Sequence, residues 1–348
     1  MRVGLDTQLA HGTATGIGEY VAGLARALER RGVEVVALEN ARFDPWRFDR
    51  RVLWDQVLLP FAAARARIDV LHCTSGTMPL LASVPIVATV HDVAWLRVQG
   101  HAKRYARAYF GAFQLARYAR ARRIVVDSLF SRDELLATAQ DASISLDFER
   151  IDVAYPGVAS DVMVNARARD DDAPFVLAVG TVETRKNLAV LVRALASLPT
   201  LRVISVGPAT PYADTCRALA HELGVAERFD VRGFVGRGEL LALYARALVA
   251  AVPSRYEGFG YGAAQALCAG VPLVVADAAS LPEVVAGSAP LVAPDDLAGW
   301  VDALATVAAT RDAAESQAAG VRAAACARFA WSTCAQTIEG AYARVLAA

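Results

Sequence analysis

What this chain lacks narrows its chemistry first. It has no excess of either charge, since 36 Lys and Arg stand against 36 Asp and Glu, and a nucleic-acid partner gains no support from overall electrostatics. Its five cysteines (Cys73, Cys216, Cys268, Cys326 and Cys334) are odd in number, widely spaced and without a CxxC pair. That argues against a disulfide frame or a zinc site and for reduced thiols. No His, Cys, Asp and Glu cluster has metal-ligand spacing, so no metal is expected. No apolar run approaches the length that crosses a bilayer, and strand-like residues 2–5 follow the first methionine at once, leaving no room for a leader. Internal repeats and low-complexity tracts are also missing. A cytoplasmic setting is the expectation.

What is present is a long alternation of strand and helix signals. With 348 residues, 55% of them apolar, the chain can bury more than one core. Short apolar runs at 2–5, 33–38, 70–72, 86–90, 124–127 and 151–154 read as strands, with helices at 16–31, 54–66, 102–120 and 131–139 between them. A charged stretch ending in Pro174 reads as a linker, after which runs at 175–179, 201–207, 229–231, 248–252, 272–276 and 291–293 repeat the pattern. Three helical stretches close the chain. The predicted fold class is α/β, with two doubly wound Rossmann-like domains, 1–165 and 174–330, facing an interdomain cleft; a last helix at 331–348 is expected to pack back on the first domain. Ligands of such sheets bind beyond the carboxyl ends of the strands, so polar motifs on the loops after strands carry the most information.

The richest loop runs from Ser254 through Glu257, Gly258, Phe259 and Gly260 into a helix containing Gln265. A strand that ends in a glycine-rich turn and opens a helix offers free N–H groups and a positive dipole end to an anion. Glu257 cannot bind phosphate, but it accepts hydrogen bonds from hydroxyls. Together they fit a ligand that is both anionic and polyhydroxylated, such as a nucleotide sugar. A second loop, Gly180 to Leu188, sets Arg185 and Lys186 beside Asn187, a potential helix N-cap. An isolated Arg-Lys pair is commonly just solvated, but the strand-to-helix context favours two fixed cations for a diphosphate.

Other segments carry less. The loop from Gly12 to Gly18, with Gly16 and Gly18, lacks the third glycine of a dinucleotide fingerprint and lies too far from its strand, which speaks against a hydride-transfer cofactor. It fits better as a flexible loop reaching a phosphate or acceptor. His91-Asp92 ends a strand; a buried, satisfied histidine competes there with a ligand contact, and Asp92 either holds the imidazole or binds hydroxyls itself. From Arg97 to Arg123 eight basic residues occur with interleaved aromatics and no acid between Asp92 and Asp127. This is either a helix lying on anionic lipid or a solvated helix whose aromatic stripe packs on its own sheet.

In order and spacing these segments, with Val125-Val126-Asp127-Ser128, Tyr155-Pro156-Gly157-Val158, Leu281-Pro282-Glu283-Val284 and Phe329-Ala330-Trp331, resemble the retaining glycosyltransferases of family 4 across nearly the whole chain. The resemblance implies a GT-B fold and transfer of a hexose from a nucleoside diphosphate sugar, with no cofactor and no metal. It implies that Glu257 contacts the donor sugar, that Arg185 and Lys186 stabilise the leaving diphosphate, and that His91 lies by the sugar. Gly16, Gly18, Gly180, Gly258, Phe259 and Gly260 would line the donor. The family's signature has a second Glu eight positions on; here that position is Gln265, which can still accept from a ribose hydroxyl without charge assistance. Within the family, Leu53 to Pro60 is most similar to mannosyltransferases of bacterial O-antigen and capsule assembly, implying GDP-mannose or a GDP-deoxyhexose as donor and a growing surface glycan as acceptor. A same-fold epimerase or hydrolase, and a non-catalytic glycan binder suggested by Gln265, are the competing expectations.

Overall fold

The computed structural model describes residues 1–10, 16–44, 47–98, 104–159 and 174–347. The expected linker at 165–173 and the loop from Gly12 to Thr15 lie outside them. Backbone packing divides the chain into two units, 1–159 with 329–348, and 160–328.

In the first unit β1 (Arg2–Asp6), β2 (Glu34–Leu38), β3 (Val70–Cys73), β4 (Ile86–Val90), β5 (Arg123–Val126) and β6 (Ile151–Val153) form one sheet in the order β2-β1-β3-β4-β5-β6. Every pairing is parallel. Parallel sheets are covered on both faces, which makes their strands almost wholly apolar. Alternation along β3 and β4 shows both faces in use. Leu71, Cys73, Ala88 and Val90 join a core with Trp54, Leu59 and Leu115. Val70 and Val87 join a second core with Leu24, Leu28 and the C-terminal helix Trp331–Ala347. Trp331 locks that second face, because a Cβ added at Gly23 or Gly157 would lie 2.1 or 2.2 Å from its ring.

The second unit repeats the plan. β7 (Phe175–Val179), β8 (Arg202–Val206), β9 (Phe229–Gly233), β10 (Val249–Val252), β11 (Leu273–Ala276) and β12 (Leu291–Val292) are ordered β12-β11-β10-β7-β8-β9, again all parallel. The order reverses between β7 and β10. That switch point opens a crevice at the strand ends, where doubly wound sheets take their ligands.

All twelve expected strands are present, but two expected helices are not single α-helices. The predicted 54–66 stretch begins earlier, at Phe48–Leu53, passes through a π-helical turn at Trp54–Leu58 and resumes at Leu59–Ala66. Pro60 lacks the N–H that would bond to the carbonyl of residue 56, and its ring crowds that carbonyl, so the helix widens just ahead of it. The predicted 102–120 stretch is described as Arg104–Ala106, a π-helical Arg107–Phe113 and Gln114–Tyr118. There Gly111 presses so closely on Leu96 that a Cβ would sit 2.6 Å away.

Candidate functional site

At the β7/β10 switch point the backbone is shaped by glycine. Gly180 leaves β7 at φ 142°, and a Cβ there would lie 3.8 Å from Lys186 Nζ. A small pocket opens between the strand ends, lined by Val179, Gly180, Lys186, Val252 and Ser254. The turn Thr184–Lys186 follows, and Arg255 N–H donates to Arg185 O at 2.8 Å, tying it to the loop after β10. Asn187 does not cap the next helix with its side chain. It sits in the left-handed region at φ 55°, which asparagine tolerates, and its Nδ2 donates to Pro294 O at 2.7 Å.

Glu257 is the hub. Lys186 Nζ donates to both its oxygens, at 2.5 and 2.7 Å, and Arg185 Nη1 to Oε2 at 3.2 Å. Ser254 Oγ donates to Oε1 at 2.7 Å, while Ser280 Oγ holds the Glu257 carbonyl at 3.0 Å. Arg185 is shared with the Tyr256 carbonyl and with Glu183. Burial alone would push the Glu257 carboxyl up, but Lys186 and Arg185 outweigh it and hold it below its ordinary value. Burial lowers the Lys186 ammonium, opposed by Glu257. The cations are thus neutralised within the site rather than standing free, and a diphosphate arriving beside them would compete with the carboxylate.

Beyond Glu257 the chain turns through Gly258, buried Phe259 and Gly260 into the helix Tyr261–Ala269. Gly260 is left-handed at φ 88°, and a Cβ would meet Leu281 Cδ2 at 2.6 Å. Gln265 lies inside this helix at 4% exposure, its Oε1 accepting from Tyr244 OH at 3.2 Å. Sequence reasoning did not single out Tyr244, because nothing in the spacing of two helices announces their contact.

In the first unit His91 follows β4. Its Nδ1 is 2.7 Å from Asp127 Oδ2 and its Nε2 is 2.9 Å from Thr74 O. Asp127, not Asp92, orients the ring; Asp92 accepts from Ala94 N–H at 3.0 Å instead. The Thr74 carbonyl only accepts, so Nε2 donates to it, while Nδ1 shares a proton with Asp127, whose own carboxyl is pushed up by burial against the pull of His91. Burial opposes a charged ring, but Asp127 overcomes it and raises the His91 pKa. The edge of Tyr20 meets the ring at 4.9 Å between centroids. Gly16 and Gly18 open the helix Gly16–Arg30.

A buried network at the ends of β1 and β3 was not anticipated. Arg51 pairs with Asp6 and Asp55 and donates to Ser75 and Thr77, and Trp54 Nε1 donates to Asp6. Burial lifts Asp55 to about 6 despite Arg51. The i,i+4 spacing of Arg51 and Asp55 was its one sequence signal.

Residues 14–162 match the model for Glycosyltransferase Family 4, and residues 161–322 that for Glycosyl transferases group 1. The chain is 30% identical over 391 residues to a D-inositol 3-phosphate glycosyltransferase of Mycolicibacterium smegmatis, covering 96% of this chain and 87% of that protein. Among solved structures it is similar to a sucrose-phosphate synthase from Thermosynechococcus elongatus, with a TM-score of 0.80 at 19% identity over 100% of this chain and 99% of the other. It is also similar to Anabaena HepE in complex with UDP-glucose, with a TM-score of 0.75 at 17% identity over 99% and 100% of the two chains.

Proposed function

This chain belongs to the group 1 glycosyltransferases of family 4, with the GT-B fold, and from that membership we propose that it transfers a hexose from a nucleoside diphosphate sugar with retention of configuration. The observation that carries the site assignment is the meeting of Glu257, Lys186 and Arg185 at the carboxyl ends of β7 and β10.

On this reading the diphosphate takes over Lys186 and Arg185 from Glu257, with the N–H groups around 258–262 adding a dipole end. The freed carboxylate then accepts from hexose hydroxyls. The bond from the anomeric carbon to phosphate oxygen breaks as the acceptor hydroxyl bonds to the same face, and the acceptor proton passes to the departing phosphate oxygen. The cations matter most as charge grows on that leaving group. A ribose hydroxyl reaching Gln265 would share its Oε1, which can accept twice, with the Tyr244 hydroxyl. His91, its Nε2 committed to Thr74 O and its Nδ1 to Asp127, has no ring nitrogen left over to act as a general base.

For the donor, the segment Leu53 to Pro60 argues for GDP-mannose or a related GDP-hexose, and the neighbour solved with UDP-glucose makes UDP-hexoses the second arm. For the acceptor, the relatives' names point to an inositol phosphate, and the same segment to a bacterial surface glycan. We keep a cytoplasmic setting, with the 97–123 region touching anionic membrane, as part of the reading. The epimerase or hydrolase and the non-catalytic binder gain nothing from relatives named as transferases. Incubating the protein with each donor, with and without D-inositol 3-phosphate or an oligosaccharide, tests this: nucleotide release that requires acceptor is expected. Release independent of acceptor would instead mark a hydrolase.

A further inference from the structure

We propose that the outer side of the 48–66 helical stretch is a wedge that inserts apolar side chains into the interfacial layer of an anionic membrane. The proposal rests on the reading that this unit touches such a membrane, and it moves the point of insertion away from the 97–123 segment. Leu53, Val57 and Phe61 recur every fourth residue on one side of the stretch and are 43%, 53% and 63% exposed. The opposite side holds Trp54, Leu59 and Ala63 in the core. Folding leaves these side chains about half in water, with Phe61 lying beside the Arg65 guanidinium, 5.7 Å from its ring centroid.

Two further elements extend it. Gln56 accepts from Leu80 N–H at 2.9 Å and donates to Met78 O, which pins the tip bearing Leu80 and Leu81 beside the stripe. Leu81 is 76% exposed. Gln56 Nε2 also donates to Tyr109 OH at 2.9 Å, and Phe48 packs edge-on against Tyr105, 4.7 Å between centroids. The basic segment therefore borders the stripe.

The rim is mostly cationic. Arg97 is spent on Glu134 and Asp141, and Arg123 on Asp152. Arg104, Arg107, Arg120 and Arg122 remain exposed without an acidic partner among the described residues, as do Arg65 and Arg67. Of the acids in the stretch and just past it, Asp55 is fully buried, Asp49 is exposed but paired with Arg47, and Asp69 accepts from the Arg2 backbone N–H. A second copy of this face would set cation against cation. Nucleic acid would meet the arginines but leave the aliphatic stripe unused. Anionic lipid satisfies both, with headgroups for the arginines and the acyl boundary for Leu, Val and Phe.

The test is flotation with vesicles of phosphatidylcholine alone or mixed with phosphatidylglycerol, using the wild type, the triple variant Leu53→Ser/Val57→Ser/Phe61→Ser, and the single variant Phe61→Trp. Wild type should float with the anionic vesicles. The triple variant should bind roughly tenfold or more weakly while keeping its circular dichroism and its thermal unfolding midpoint. The Phe61→Trp emission should shift to the blue on anionic vesicles and be quenched by brominated acyl chains. If wild type floats but the triple variant floats equally and the tryptophan stays in water, the wedge is wrong and the basic-segment reading stands. If wild type floats with neither vesicle, both fail. Burial of that tryptophan in a protein dimer without lipid would assign the face to self-association and overturn the wedge.

Discussion

Glu257 and its two cations are separated by more than seventy residues of chain, and their meeting makes each substitution a two-sided event. Replacing Lys186 with Ala removes a charge from the leaving-group side and leaves Glu257 with Arg185 alone. Transfer should fall on the order of a hundredfold or more, and stability by about 2 kcal/mol, less than for a fully orphaned buried charge because Arg185 remains. Chemical denaturation beside steady-state turnover checks both, and near-normal turnover would contradict the role given to Lys186. Glu257→Gln separates the roles differently. It frees the cations, so nucleoside diphosphate should bind more tightly by calorimetry while hexose transfer drops; weaker diphosphate binding would mean the cations do not serve the phosphate. His91 yields a pH prediction. A raised folded pKa means its stabilisation is fully present below the ordinary histidine value of about 6.5 and is lost as pH rises through the higher folded value. Nitrogen-resolved NMR should show both ring nitrogens protonated above that ordinary value, and Asp127→Asn should bring the titration down. A neutral ring at pH 6 in the wild type would refute the raised pKa. Sequence made these side chains visible as polar groups after strands, but not their pairing, because an ion pair has no local periodicity.

Helices and turns were legible where one rule governed them and misread where two competed. Strands buried on both faces write unbroken apolar runs, so β4 and β7 were predicted to the residue. The stretch around Pro60 shows the opposite case: apolar periodicity argued for one helix, while a missing N–H and the Asp6–Arg51–Asp55 network settled on a widened turn. Asn187 likewise carried a capping signal, yet Pro294 took its side chain. Packing of the C-terminal helix onto the first sheet depends on the space Gly23 leaves for Trp331. Gly23→Ala should therefore cost about 1–3 kcal/mol through overpacking, with no change in the diphosphate affinity of the other unit. A variant as stable as wild type in urea would mean the indole relocates freely.

Taken whole, the molecule is electrically neutral but unevenly so, with a cationic, apolar-striped face on one unit and an internally neutralised site on the other. A ligand that binds only the native state raises stability by mass action, so a thermal-shift screen of nucleoside diphosphates should single out the donor base, by about 2.7 kcal/mol at a hundredfold excess over Kd. Equal shifts with every base would show that the pocket does not read it. The order of strands and helices, the family and the loops that bear polar groups were all written locally, since apolar runs and glycine turns act over a few residues. Which acid faces which cation, that Asp127 rather than Asp92 holds His91, and that Leu53, Val57 and Phe61 stay partly in water were decided only when distant segments packed, because hydrogen bonding, charge pairing and burial depend on neighbours that the order of residues does not name.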